Sequence, residues 1–264
     1  MKVIQAKSAG FCYGVQRAVE LAEQTARERG GCVMLGSIIH NAHVVQHLEQ
    51  LGAHQVAGPE EIRPGDTVLI RAHGEKKQVI GHLKDIGAEC VDATCPNVLR
   101  VQQIVAQADA EGRVPIIIGD PNHPEVMGVA SWSARSVVFE GAETLQRWLD
   151  EDPARRELPL TAVAQTTCIR IIWDGAAEIL KKECTNAKIF DTICNATHKR
   201  QSDAAELASQ VDVMVVVGDR KSANTKHLTE ICSRQCPAVY QIERAEELKR
   251  DFLTGCSVAG LTAG

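Results

Sequence analysis

Aromatic side chains are scarce: Phe, Tyr and Trp together make up 3% of the 264 residues. A surface that binds single strands by stacking bases needs more of them. Positive charge is not in excess either. The formal net charge is −5, which offers neither a nucleic-acid footprint nor a polybasic membrane patch. No stretch of about 18 apolar residues is present to cross a bilayer. The start, Met1 to Lys7, lacks the apolar run of a secretory signal. These absences point to a cytoplasmic chain with no membrane and no nucleic-acid partner. Cysteine, by contrast, is abundant, with ten copies. In a reducing compartment such residues bind metal, catalyse or fill the core rather than form disulfides. Apolar residues at 44% are enough for a sizeable interior.

Three of the cysteines recur in a pattern. Cys12 lies in Gly10-Phe11-Cys12-Tyr13-Gly14-Val15, Cys95 in Asp92-Ala93-Thr94-Cys95-Pro96, and Cys194 in Asp191-Thr192-Ile193-Cys194. Counting forward 24 residues from each reaches Gly36, Gly119 and Gly218. Each glycine ends an apolar run that reads as a strand. Four residues further on stand His40, His123 and Ser222. Self-similarity of this kind signals repeated structural units. The chain is therefore read as α/β, in three pseudo-repeated units: 1–94, 95–193 and 194–264.

The alternation within each unit supports that reading. Helical periodicity runs over 16–28, 44–51, 76–86, 98–110, 171–184, 199–209 and 225–232. Strand-like runs cover 67–70, 114–118, 160–164, 213–217 and 258–260. The stretch carrying Trp132 and Trp148 reads as less regular, and 150–159 as a charged, proline-bearing surface loop. The third unit lacks a closing strand, and its C-terminal side is short. The N-terminal strand, Val3 to Ala6, is expected to pair into it. Strand–helix alternation gives parallel sheets, which bind ligands beyond the carboxyl ends of their strands. His40, His73, His123, Glu125, Thr166 and Ser222 each closely follow a strand. A single histidine there is usually a cap or a solvated surface residue; several in matched places argue for a site.

Three thiolates from distant positions can hold zinc, hold an iron–sulfur cluster, or hold nothing. Structural zinc prefers four ligands, often as close pairs, and none of the three lies in a Cys-x-x-Cys pair. A 4Fe–4S cluster on three cysteines keeps one iron open as a Lewis acid. The other seven cysteines read as core filler. Cys232 and Cys236 are four apart on a helix, which leaves a local metal pair open.

Taken in order, the three cysteine motifs and Ile39-His40-Asn41, Ala72-His73-Gly74, His123-Pro124-Glu125-Val126, Gln165-Thr166-Thr167 and Ile193-Cys194-Asn195-Ala196-Thr197 resemble the 4-hydroxy-3-methylbut-2-enyl diphosphate reductase family over nearly the whole chain. The resemblance implies a trefoil of the three units around one central 4Fe–4S cluster. It implies Cys12, Cys95 and Cys194 as ligands, with one open iron. Glu125 matches the proton-relay acid, His123 the histidine beside it, and Thr166 the threonine near the substrate hydroxyl. His40, His73, Ser222 and Asn224 match diphosphate-binding residues. The implied reaction is a reductive dehydroxylation giving isopentenyl and dimethylallyl diphosphate, with ferredoxin or flavodoxin as electron donor. A divergent paralogue with the same cluster and another allylic or phosphorylated substrate is the alternative; so is an iron–sulfur carrier or redox sensor. A carrier has no need of Glu125. Two departures fall on the diphosphate side. The family reads Ser-Ser-Asn where this chain has Ser222-Ala223-Asn224, and it continues past Thr262-Ala263-Gly264 into a further Ala-Ser. One lost bond to a charged group is worth roughly 1.5–3 kcal/mol.

Overall fold

A computed structural model describes residues 1–264. In chain order the elements are β1 (Lys2–Gln5), α1 (Tyr13–Arg29), β2 (Cys32–Leu35), α2 (Ala42–Gln50), β3 (Ala53–Val56), β4 (Thr67–Ile70), α3 (Lys77–Asp85), β5 (Glu89–Asp92) and α4 (Pro96–Ala110). Then follow β6 (Val114–Ile118), α5 (Pro124–Ala130), β7 (Val137–Phe139), α6 (Ala142–Glu151), β8 (Leu160–Ala164), α7 (Arg170–Glu183) and β9 (Ala187–Ile189). The last are α8 (Asn195–Ala208), β10 (Val213–Val217), α9 (Ala223–Ser233), β11 (Val239–Ile242) and β12 (Val258–Ala263). The stretch expected to be irregular carries α5, β7 and α6. The expected α/β class with parallel sheets is what the chain adopts.

The chain divides into two compact units. One comprises residues 13–39 and 43–193. It holds two four-stranded sheets, ordered β3-β2-β4-β5 and β7-β6-β8-β9. Every pairing in them is parallel. The central strands are buried but for the first residues of β4 and β6, and β2 and β8 along their entire length. Such strands read as unbroken apolar runs because helices cover both faces of a parallel sheet. Ile116, Ile117 and Ile118 are each at most 1% exposed. Burying a side chain of this type contributes roughly 1.5–3 kcal/mol. The faces divide by alternation: Ile116 and Ile118 pack under α6 and α7 with Leu145, Leu149 and Trp173. Ile117 packs with Val98, Val101 and Val105 of α4 and Val126 of α5.

The other unit comprises residues 1–12, 40–42 and 194–264. Its sheet, ordered β1-β12-β10-β11, is also wholly parallel. Here β1 lies beside β12 with Val3 opposite Ala259. It takes the place that β5 and β9 hold in the other two sheets. No helix in either unit is long and apolar enough to cross a membrane.

Candidate functional site

The three repeat glycines sit at one corresponding point in each sheet. In each case the residue just past the neighbouring central strand closes over the glycine. Beyond β2 and β4, Arg71 lies over Gly36, and a β-carbon on Gly36 would meet its Nη1 at 3.0 Å. Gly36 also adopts φ +69°, a conformation that L side chains rarely take. Beyond β6 and β8, a β-carbon on Gly119 would lie 2.8 Å from the Gln165 side chain. Beyond β10 and β12, one on Gly218 would lie 2.9 Å from the Gly264 carbonyl oxygen. At Gly119 and Gly218 the 24-residue spacing thus marks places where strand ends crowd together and leave no room for a β-carbon; at Gly36 the positive φ is the stronger constraint, since the guanidinium above it can swing aside. The loops that follow emerge at the carboxyl ends of the strands.

The cysteines share a position too. Cys12, Cys95 and Cys194 each immediately precede a helix, α1, α4 and α8. A helix start presents unpaired N–H groups and the positive end of the dipole, which suits an anionic sulfur. At Cys194 this is explicit: its Sγ accepts the Thr197 N–H at 3.3 Å, and the Thr197 hydroxyl lies 3.0 Å away. Arg200, two turns along the same helix and 7% exposed, donates from Nε to the Ser8 carbonyl at 3.0 Å and from Nη2 to the Gly10 carbonyl. It thereby pins the loop that ends at Cys12 to the helix that begins after Cys194. In the other unit, the Cys95 N–H bonds the Ala72 carbonyl at 2.9 Å, and Arg17 donates to the Thr94 carbonyl at 3.2 Å. All three are partly exposed, and none is in a disulfide. Of the remaining cysteines, Cys32, Cys168, Cys232 and Cys236 are buried. Burial pushes Cys168 and Cys232 up to about 12. Cys232 and Cys236 lie in an apolar cluster with Ala204, Leu207 and Met214, with their sulfurs near backbone carbonyls. These two fill the core.

Glu125 is the most unusual carboxyl in the molecule. It sits in the first turn of α5 and is 2% exposed. Its Oε1 accepts the Thr166 N–H at 2.6 Å and its Oε2 the Thr166 hydroxyl at 2.8 Å. Burial drives its pKa up from the ordinary value of 4.5 to about 7, against the pull of both Thr166 bonds. Desolvation wins because no positive charge is set against it.

His123 caps the same helix: its Nδ1 accepts the Glu125 N–H at 3.1 Å. With Nδ1 an acceptor, the proton of the neutral ring lies on Nε2. The His73 ring stands edge-on to that of His123, centroids 5.3 Å apart and planes at 83°. This unit therefore brings together Glu125, His123, Thr166 and His73, with Cys95 one hydrogen bond from the residue before His73.

Of the remaining expected residues, His40 lies two residues before α2. Ser222 caps α9, its Oγ accepting the Thr225 N–H at 3.3 Å, so its own O–H is left to donate. Asn224 is in the first turn of that helix, its Oδ1 buried without a hydrogen-bond partner. Ala223 opens the helix between them. Sequence reasoning passed over Arg71, Glu75, Gln165 and Arg200. A signal for the first and third was available: both stand one residue past a central strand, opposite a repeat glycine.

The family model described as LytB protein matches residues 3–264. A 4-hydroxy-3-methylbut-2-enyl diphosphate reductase of Caldanaerobacter subterraneus subsp. tengcongensis is 39% identical over 269 residues, covering 100% of this chain and 91% of its own length. One from Anaeromyxobacter sp. (strain Fw109-5) is 40% identical over 267 residues, covering 100% and 92%. Among solved structures, that of (E)-4-hydroxy-3-methyl-but-2-enyl diphosphate reductase, the terminal enzyme of the non-mevalonate pathway, is 37% identical with a TM-score of 0.69, covering 100% of this chain and 94% of that one. The E-1-hydroxy-2-methyl-but-2-enyl-4-diphosphate reductase from Plasmodium falciparum is 26% identical with a TM-score of 0.93, covering 100% and 83%.

Proposed function

The chain belongs to the LytB family, and from that membership we propose that it is the 4-hydroxy-3-methylbut-2-enyl diphosphate reductase of the non-mevalonate isoprenoid pathway. Its substrate is an allylic alcohol bearing a diphosphate. Two electrons and two protons enter, the C–O bond breaks, and water leaves with isopentenyl or dimethylallyl diphosphate as product.

The observation that carries the reading is Glu125. Hydroxide is a poor leaving group unless it is protonated as the bond breaks. An acid that is half protonated near neutral pH suits that step, and burial gives Glu125 a pKa of about 7. Its two Thr166 bonds fix the carboxyl plane, so the proton sits at a defined place. Thr166 bonds the carboxyl and orients it; His123, with its ring proton on Nε2, donates to the substrate. Thr166 and His123, together with His40, His73, Ser222 and Asn224, bind the substrate, the last four on its diphosphate side. Neutral donors and helix starts accept a diphosphate without a large basic patch.

The donor set fits a 4Fe–4S cluster held by Cys12, Cys95 and Cys194. None of the three is in a disulfide, all are partly exposed, and each stands at a helix start, where unpaired N–H groups can face a cluster's negative charge. When bound, such a cluster supplies the electrons one at a time and a Lewis-acid iron. We read the three units as 1–94, 95–193 and 194–264, with the N-terminal strand serving the third, supported by the matched strand order of the three sheets. Ferredoxin or flavodoxin delivers the electrons. The work is done in the cytoplasm, where ten cysteines outside any disulfide stay reduced. The test is an anaerobic assay with (E)-4-hydroxy-3-methylbut-2-enyl diphosphate and a reduced low-potential dye. Formation of both isoprenoid diphosphates is expected. A brown, cluster-loaded preparation that leaves this substrate unchanged overturns the proposal.

A further inference from the structure

We propose that Arg71 and Glu75 form a positioning clasp that sets His73 for the diphosphate; this rests on the reductase reading of the site. The pair brackets His73 in sequence and closes a tight turn around it. Arg71 Nη2 reaches Glu75 Oε2 at 2.7 Å, and Arg71 Nε donates to the Gly74 carbonyl at 3.3 Å. Glu75 Oε1 accepts the Lys76 N–H at 2.9 Å. The Gly74 N–H bonds the Arg71 carbonyl at 2.9 Å, with Gly74 at φ +74°. The two side chains are 19% and 8% exposed, so the pair is shielded from solvent, unlike the many i,i+4 pairs on the surface.

The turn is anchored on both sides. The Ala72 carbonyl takes the Cys95 N–H and the Ala72 N–H bonds the Ile38 carbonyl, at 2.9 and 3.0 Å. On the far side, Glu75 backbone packs against Gly128 of α5, where a β-carbon would lie 3.5 Å away. The Lys77 N–H donates to the Ser131 hydroxyl at 2.9 Å, and that hydroxyl donates to the Gly128 carbonyl at 2.6 Å. The clasp thus fixes the loop of His73 against the helix that carries His123 and Glu125, and the edge-on approach of the two rings is the outcome. A planar guanidinium holds a carboxylate and a carbonyl together in one rigid fork; a lysine's compact ammonium lacks that fixed geometry.

A purely structural pair predicts a changed melting temperature and nothing more. A positioning pair predicts a defect confined to diphosphate recognition. The variants are Glu75→Gln, Arg71→Lys and the apolar double change Arg71→Met with Glu75→Leu, which removes both charges so that neither is left buried alone. In cluster-loaded enzyme the double variant should raise KM, and Ki for inorganic diphosphate, by between about 10- and 100-fold. Its kcat and cluster absorbance should stay near the parent's. Glu75→Gln, which keeps a hydrogen bond to Arg71, should recover most of the loss. Arg71→Lys should not. Histidine ring 15N–1H signals of the same protein should show the His73 resonance displaced in the double variant and restored in Glu75→Gln. An unmoved His73 signal, or unchanged KM and Ki beside a moved one, overturns the clasp. Should the parent itself neither bind diphosphate nor turn over, the reductase reading fails, and an unmoved His73 signal would then separately refute the clasp.

Discussion

Two buried glutamates in the same unit, Glu75 and Glu125, have opposite fates. Both carboxyls are almost sealed from solvent. Glu75 faces the Arg71 guanidinium at 2.7 Å. Glu125 has only the N–H and O–H of Thr166. A countercharge offsets desolvation and keeps a carboxylate charged; two neutral donors offset it only in part. So one side chain closes an ion pair that holds a turn, and the other is an acid poised near neutrality. The difference lies in what the fold sets opposite each, not in residue type or depth.

The sharpest way to break the comparison is to remove the acid and keep its shape. Glu125→Gln should lose about 10²–10⁴-fold in turnover, the range of general acid catalysis. Single-turnover rates measured beside cluster absorbance check this. An intact chromophore with an unchanged rate removes Glu125 from the mechanism. Next in size is the other glutamate. Arg71→Met alone leaves the Glu75 carboxylate buried and unpaired, which should cost roughly 3–5 kcal/mol of stability. Adding Glu75→Leu should recover most of it. Denaturant unfolding of the two variants gives the comparison directly.

The pH dependence of stability follows from the raised value at Glu125. Between its ordinary value of 4.5 and about 7, the folded chain keeps a proton that the unfolded chain has released. Stability from this group is therefore full below the lower value and is lost as pH rises through the upper one. The gap corresponds to about 3 kcal/mol. Glu125→Gln should flatten that slope and be the more stable protein at alkaline pH, as read from unfolding midpoints across the window. The surface carboxylates Glu111 and Asp150 and the half-buried Glu183 have lowered values, set mainly by hydrogen bonds from Lys188, from Arg156, and from Gln146 with Arg156. Their contribution is lost only at more acid pH, so the two effects separate. Thr166→Val makes the smallest change. It deletes one of two donors and should drive Glu125 further up, by an amount worth roughly 1.5–3 kcal/mol. The pH–rate profile should move to higher pH by a corresponding step.

The sequence showed much of this frame. The strands at 67–70, 114–118, 160–164 and 213–217 match the observed bounds, because buried parallel strands are unbroken apolar runs. Pattern alone starts six of the seven helices one to four residues late, since caps such as Cys95, Cys194 and Ser222 do not look like helix; α3, expected over 76–86, is instead one residue shorter at each end. The strand β3, Ala-His-Gln-Val, was missed because an edge strand with two exposed residues has no apolar run. The helix α6 was missed because Leu145 and Leu149 give only a thin stripe between charges. The repeat spacing led to the glycines and the loops beyond them. It did not lead to Arg71 or to the state of Glu125. Both are set by what packs opposite, and that is decided by tertiary structure.

The central claim is that Glu125 is an acid poised near neutrality by burial. The direct measurement is its own titration, followed in the carboxyl C=O infrared band as the difference between parent and Glu125→Gln across about pH 4 to 9. The account predicts a single carboxylic acid that ionises with a midpoint near 7 and is absent from the variant. A midpoint in the ordinary glutamate range would contradict it.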